Sequence, residues 1–286
     1  MKRVATAAVL IPLVLLAVYL APFLVLLGLI AIVALLATHE YFSIIKGYGV
    51  VPIRSGAYGG IVSLFLLLGL DDSFAFALVV LPTLLASLVL TFILGMRRHD
   101  LREASLSIAL SYLSVPYIGL TLLSLAFLAR TAGSADVLIL VFLAVWVGDT
   151  AAYYVGRTWG THKLAPLISP KKTWEGAIAS AVFSAIAVLL WAKFVISDSD
   201  LRVVPPAIRA AHSSAALAFV FGLIINIAAQ FGDLAESMIK RGAGVKDSGT
   251  ILPGHGGILD RIDALLFAAP VALLLFTLLD RYLPAR

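Results

Sequence analysis

The sequence predicts an all-α, polytopic integral membrane protein of about nine transmembrane helices, with its chemistry-bearing loops on the cytoplasmic side. Three observations predict it. Of 286 residues, 62% are hydrophobic and only 13% charged, roughly half the charged fraction of an ordinary soluble domain. The apolar residues fall into runs of membrane-spanning length. The basic residues lie between those runs and are distributed unevenly across them.

The first run follows Met1-Lys2-Arg3 and continues with little interruption to about Thr38, too long for the 7–15-residue apolar core of a signal peptide. Pro22 lies near its middle, so it reads as two antiparallel spans and not as a cleaved leader. Further runs occupy 56–70, 74–96, 105–129, 135–155, 176–196, 214–236 and 262–280. With a cytoplasmic amino terminus, fifteen of the 21 Lys and Arg residues fall on the inner side. That places loops near 156–175 and 240–260 inside, where nucleotides are found; the inner (plasma) membrane is the location expected. His39-Glu40, Asp71-Asp72 and Arg97-Arg98-His99 read as interfacial anchors or topology signals. Cys is absent, which excludes disulfides and thiolate chemistry. The net charge of +5 is spread between hydrophobic runs, so no nucleic-acid partner is expected. Residues 1–130 read as a transmembrane scaffold and 131–286 as the catalytic region.

The sixth span carries Asp149 in WVGDTAAYYVGR, with Tyr153 and Arg157 at successive turns of the same face. An acid at membrane depth costs about 2.5–3.5 kcal/mol on insertion scales and marks a functional site by default. The following loop, GRTWGTHKLAPLISPKKTWEG, gathers Ser169, Lys171, Lys172 and Thr173 into an anion-binding candidate, and Thr173-Trp174-Glu175 has the residue types of a helix start. In the eighth span Asn226, Gln230, Asp233 and Ser237 are four, three and four residues apart, a polar stripe on one helical face. Such a stripe either bonds helices together or lines a cavity.

The stripe runs into the most polar stretch of the chain, SMIKRGAGVKDSGTILPGHGGILDRID, residues 237–263. Glycines let backbone N–H groups approach an anion, Lys and Arg neutralise phosphate, and carboxylates at helix ends can hold Mg²⁺. Asp233 and Asp260 are the candidate Mg²⁺ ligands, with Asp263 supporting them from one turn away. The residues themselves indicate metal-dependent chemistry on a phosphate ester at the inner membrane face.

Ser237, Lys240-Arg241, Lys246-Asp247, Gly249, Pro253, His255-Gly256-Gly257 and Asp260-Arg261-x-Asp263 follow the signature of the phosphatidate cytidylyltransferases, which the chain resembles. Asp149 to Gly160 and Ser169 to Gly176 are similar to two further stretches of that family. The resemblance covers roughly Asp149 to Asp263; the amino-terminal half matches only in hydrophobic pattern. It implies transfer of a cytidylyl group from CTP to phosphatidate, giving CDP-diacylglycerol and pyrophosphate in phospholipid biosynthesis. It also implies Mg²⁺, membrane lipid as substrate and a homodimer. The candidate catalytic residues are then Asp233, Lys240, Arg241, Lys246, Asp247, His255, Asp260 and Asp263. Candidate substrate-binding residues are Asp149, Tyr153, Arg157, Ser169, Lys171, Lys172, Thr173, Glu175, Ser237, Gly256 and Gly257. Two alternatives stand beside this reading: a CTP-dependent lipid kinase, releasing CDP, and an ion or phosphate transporter with a pathway through Asp149, Asp233 and Asn226.

Overall fold

A computed structural model describes residues 2–70, 76–131, 135–195, 206–251 and 256–282. They form eleven α-helices in chain order: α1 (Lys2–Leu20), α2 (Phe23–Ile45), α3 (Arg54–Leu70), α4 (Phe76–Gly95), α5 (Leu101–Ser114), α6 (Thr121–Thr131), α7 (Ala135–Thr158), α8 (Trp174–Phe194), α9 (Pro206–Ser213), α10 (Ala215–Gly242) and α11 (Leu259–Tyr282). Pro22 separates α1 from α2, as its missing donor and fixed φ require. A π-helical segment, Val115–Leu120, joins α5 to α6, and Pro116 at its start accounts for the widened backbone.

Where about nine spans are expected, six helical stretches among the described residues are long and apolar enough to cross a membrane: Phe23–Tyr48, Leu101–Arg130, Ala135–Thr158, Trp174–Phe194, Ala215–Gly242 and Leu259–Tyr282. Ile11–Leu20, Arg54–Leu70 and Val80–Gly95 are shorter apolar helices. Leu24, Leu66, Leu78 and Leu85 are among many exposed large apolar side chains, which suits a surface facing lipid and not water. The chain is a multi-pass membrane protein.

The chain divides into two compact units. One comprises Met1–Ala126 with Ile239–Ile262; the other comprises Phe127–Met238 with Asp263–Arg286. The 237–263 stretch is thus shared between them, and most of it belongs with the amino-terminal helices. In the first unit Tyr41, Phe42, Ile45, Ile61, Leu64, Leu68 and Ile118 are fully buried. The Tyr41 hydroxyl donates to the Leu110 carbonyl at 2.9 Å, tying α2 to α5.

The second unit adds one element the sequence reading missed. Between α7 and α8 the loop folds into an antiparallel hairpin of β1 (Lys163–Ala165) and β2 (Ser169–Thr173), with Lys163 paired to Thr173 and Ala165 to Ser169. Thr173 then caps α8, its hydroxyl accepting from the Gly176 N–H at 3.2 Å, so the expected helix start holds. Helices α7, α8 and α10 are bonded through small and polar residues, since apolar burial gives no preference for helix over lipid. The Asn226 amide donates to the Ala144 carbonyl at 2.9 Å, Ser180 donates to Asn226 at 3.1 Å, and Ser184 donates to the Ala144 carbonyl at 2.5 Å. Gly148 makes this convergence possible. A Cβ there would lie 2.6 Å from Ser184 Oγ and 2.8 Å from Ser180 Oγ, and closer still to the Asn226 amide.

Gly148→Ala is therefore expected to destabilise the protein by about 1–3 kcal/mol, the cost of overpacking a close-packed contact. Gly28→Ala in α2, where a Cβ meets nothing within 4 Å, should be neutral or gain up to about 1 kcal/mol in helix propensity. Thermal unfolding of both variants in detergent checks the contrast; equal stabilities would contradict the packing account.

Candidate active site

In the second unit, the predicted acid and base come together. Lys172, on β2, forms an ion pair with Asp233 on α10 at 2.5 Å, the side chains 26% and 32% exposed. The pairing follows from local structure. Lys172 lies in β2 immediately before Thr173, the residue that ends the strand and caps α8. Asp233 then donates nothing and accepts from Ser237 Oγ at 3.4 Å, one turn along the stripe. The other half of the stripe does a different job. Gln230 donates to the Ala177 carbonyl at 3.1 Å and to Asn226 at 2.7 Å, and Asn226 is buried. Asn226 and Gln230 are consumed by helix packing, so the pathway required of a transporter loses its third member.

More acids gather around Asp233. Asp263 on α11 lies within electrostatic range of Asp233, Glu236 and Asp149. The two helices meet closely at Gly232, where a Cβ would lie 2.5 Å from the Asp263 carbonyl. Asp149 itself is exposed, as are Tyr153 and Arg157. Arg157 donates to the Tyr153 hydroxyl at 2.9 Å, so the two share the face expected of them. Lys171 is exposed and Ser169 half-buried along the hairpin. Glu175 is engaged within its own loop: its carboxylate accepts from Thr161 Oγ1 at 2.7 Å and from the His162 backbone N–H, and lies 2.7 Å from His162 Nδ1. It holds the base of the hairpin against the start of α8.

The first unit holds the second carboxylate. Lys240, in the last turn of α10 and only 8% exposed, donates to Asp260 Oδ1 at 2.6 Å. Asp260 opens α11, and its two oxygens also accept from the Ser248 N–H at 3.2 and 3.0 Å and from the Gly257 N–H at 2.9 Å. Gly256, at φ +80°, turns the chain so that the Gly257 amide points at this carboxylate. Arg241 donates to the Val245 carbonyl at 3.2 Å and is exposed, as are Lys246 and Asp247. His255 and Pro253 lie outside the described residues. Asp233 and Asp260 belong to different units, each paired with a lysine of its own.

One reading is corrected. Glu40 is no interfacial anchor: it is 2% exposed, and its Oε2 accepts from Ser248 Oγ and from the Leu259 N–H, both at 2.9 Å. The signal was available, because an acid inside an apolar helix marks a site wherever it occurs; its place near the end of the run made it look like a boundary residue. Tyr48, whose hydroxyl donates to the Ile239 carbonyl at 3.0 Å, carries no comparable signal.

The chain is similar in sequence to known proteins. Phosphatidate cytidylyltransferase of Staphylococcus haemolyticus (strain JCSC1435) is 40% identical over 170 residues, which is 59% of this chain and 59% of the relative. Phosphatidate cytidylyltransferase of Brucella suis biovar 1 (strain 1330) is 42% identical over 154 residues, 54% of this chain and 52% of the relative. The aligned stretch thus spans little more than half the length of these curated relatives. The family model described as "Cytidylyltransferase family" matches residues 1–279, including the amino-terminal helices that the signature motifs leave out. The chain belongs to the cytidylyltransferase family.

Proposed function

We propose that the protein transfers the cytidylyl group of CTP to phosphatidate, releasing pyrophosphate and forming CDP-diacylglycerol for phospholipid synthesis, at the cytoplasmic face of the plasma membrane. The observation that carries this reading is the paired arrangement of Lys172 with Asp233 and Lys240 with Asp260. Each pair joins a lysine from an expected phosphate-binding stretch to an acid expected to bind metal. The names of the relatives supply the particular reaction.

In that reaction a phosphatidate oxygen attacks the α-phosphorus of CTP while the α–β bridging P–O bond breaks, and the bond pair leaves with pyrophosphate. The attacking oxygen is already anionic, so positioning and charge neutralisation matter more than a general base. Lys172 and Lys240 are well suited to this. A lysine held by an aspartate is aimed before substrate arrives and exchanges a carboxylate for a phosphate at little cost in ordering. Lys171, Arg241 and Lys246, all exposed, are left to neutralise the triphosphate or the lipid phosphate. Among the described residues no three His, Asp or Glu side chains are arranged to hold a metal by themselves. Mg²⁺ does not require such a group, since it is ordinarily held through one or two carboxylates plus substrate phosphates and water. Asp233 in one unit and Asp260 in the other are the candidates for that role. When bound, Mg²⁺ would neutralise developing charge on the phosphates.

Two experiments test this reading. Purified protein in vesicles containing phosphatidate, given CTP labelled in the α-phosphate, should move the label into lipid with one pyrophosphate released per turnover, and EDTA should abolish it. Release of CDP would indicate the kinase, and no turnover would exclude both. Lys172→Ala and Lys240→Ala should each lower kcat/KM about tenfold to a hundredfold, the loss of a charge-assisted hydrogen bond worth about 1.5–3 kcal/mol. Unchanged kinetics in both would make these lysines topology signals.

Sidedness is tested separately. Thr250 is exposed, and the native chain has no Cys, so Thr250→Cys gives a unique label site. It should resist an impermeant maleimide added outside intact cells and react after permeabilisation; labelling from outside would overturn the cytoplasmic placement.

A further inference from the structure

The structure assigns to Glu40 a positioning role: this buried acid of α2, some 200 residues away in sequence, orients the Lys240–Asp260 pair through Ser248. The inference rests on the reading of that pair as part of the active site. Glu40 is buried in the core of the first unit, beside fully buried Tyr41 and Phe42. A carboxylate there is costly unless hydrogen-bonded.

Its bonds all lead to one place. Oε2 takes the Ser248 hydroxyl proton at 2.9 Å and the N–H of Leu259, the first residue of α11, also at 2.9 Å. A serine hydroxyl has one proton. With that proton committed to Glu40, Ser248 Oγ can only accept, and it accepts from the Asp260 N–H at 3.3 Å. The Ser248 backbone N–H meanwhile donates to both oxygens of Asp260. Glu40 therefore fixes the rotamer of Ser248 and the first residue of α11, and these two fix the backbone and carboxylate of Asp260. Lys240 is aimed in turn by Asp260. The loop is shaped to admit the acid: a Cβ at Gly249 would lie 2.5 Å from Glu40 Oε1, and one at Gly257 would collide with Oε2 and with Ser248 Oγ.

Three variants test this: Glu40→Ala, Glu40→Gln and Ser248→Ala, with the Glu40→Ala/Ser248→Ala double variant. Glu40→Ala should lower kcat/KM at least tenfold in folded protein. Glu40→Gln, whose amide oxygen can accept both donors, should recover most of that loss. The double variant should be scarcely worse than either single one, because both residues act through Asp260. Amide hydrogen exchange provides a readout independent of turnover. Peptides covering Ser248 and Gly257–Asp260 should exchange at least tenfold faster in Glu40→Ala and Ser248→Ala than in the native protein, with peptides from α7 and α8 unchanged. Native exchange and full activity in folded Glu40→Ala, or losses that multiply in the double variant, would overturn the assignment. If Glu40→Ala does not fold, Ser248→Ala and Glu40→Gln decide the matter by the same two readouts. Absence of CDP-diacylglycerol synthesis by the native protein would sink the reading of the reaction while leaving the exchange result to judge Glu40.

Discussion

Everything polar in this protein is governed by the expense of leaving charge unpaired in an apolar bundle. An acid or a lysine as buried as Asp260 and Lys240 costs several kcal/mol unless it is bonded, and the bond between them is 2.6 Å long. The same condition holds for Lys172 with Asp233 at 2.5 Å. Partial exposure matters here. A fully exposed pair would be worth little and aimed at nothing. Lys172 and Asp233 are 26% and 32% exposed and Lys240 and Asp260 10% and 9%, so neither pair is at that limit.

The two units meet that condition by different means. In the second, the geometry comes from regular elements: a capped helix start, a short hairpin and a helix contact at Gly232 close enough that no side chain fits. In the first, it comes from irregular backbone between α10 and α11, where amides of Ser248 and Gly257 serve as donors. Irregular backbone at such a place persists only when its polar groups are satisfied inside the protein. From outside the loop Glu40 satisfies the Ser248 hydroxyl and the Leu259 N–H at the start of α11, so an amino-terminal helix supports a carboxy-terminal motif.

Much of this was legible in the sequence. The apolar runs give the helices because a membrane imposes length and excludes alternatives. The spacing of Asp149, Tyr153 and Arg157, and of Asn226 through Ser237, places side chains on a face, and the contacts of Arg157 with Tyr153 and of Ser237 with Asp233 follow it. Spacing could not say which half of the polar stripe was glue, because Asn226 and Asp233 look alike until Ala144 and Lys172 are opposite them. The hairpin was hidden by its shortness and by the lysines that break any alternation of apolar and polar residues. Glu40 was hidden by distance: its partners are 208 and 219 residues away, and no periodicity reports a contact of that range.

The central claim is that two lysine–aspartate pairs are aimed in advance and change partner when nucleotide arrives. An experimental structure with Mg²⁺ and a non-hydrolysable CTP analogue tests it most directly. The account predicts that a lysine of these pairs leaves its aspartate for a phosphate oxygen at about 2.7–2.9 Å, with Mg²⁺ on the aspartate it has freed. Both pairs intact, with the nucleotide bound elsewhere, would contradict it.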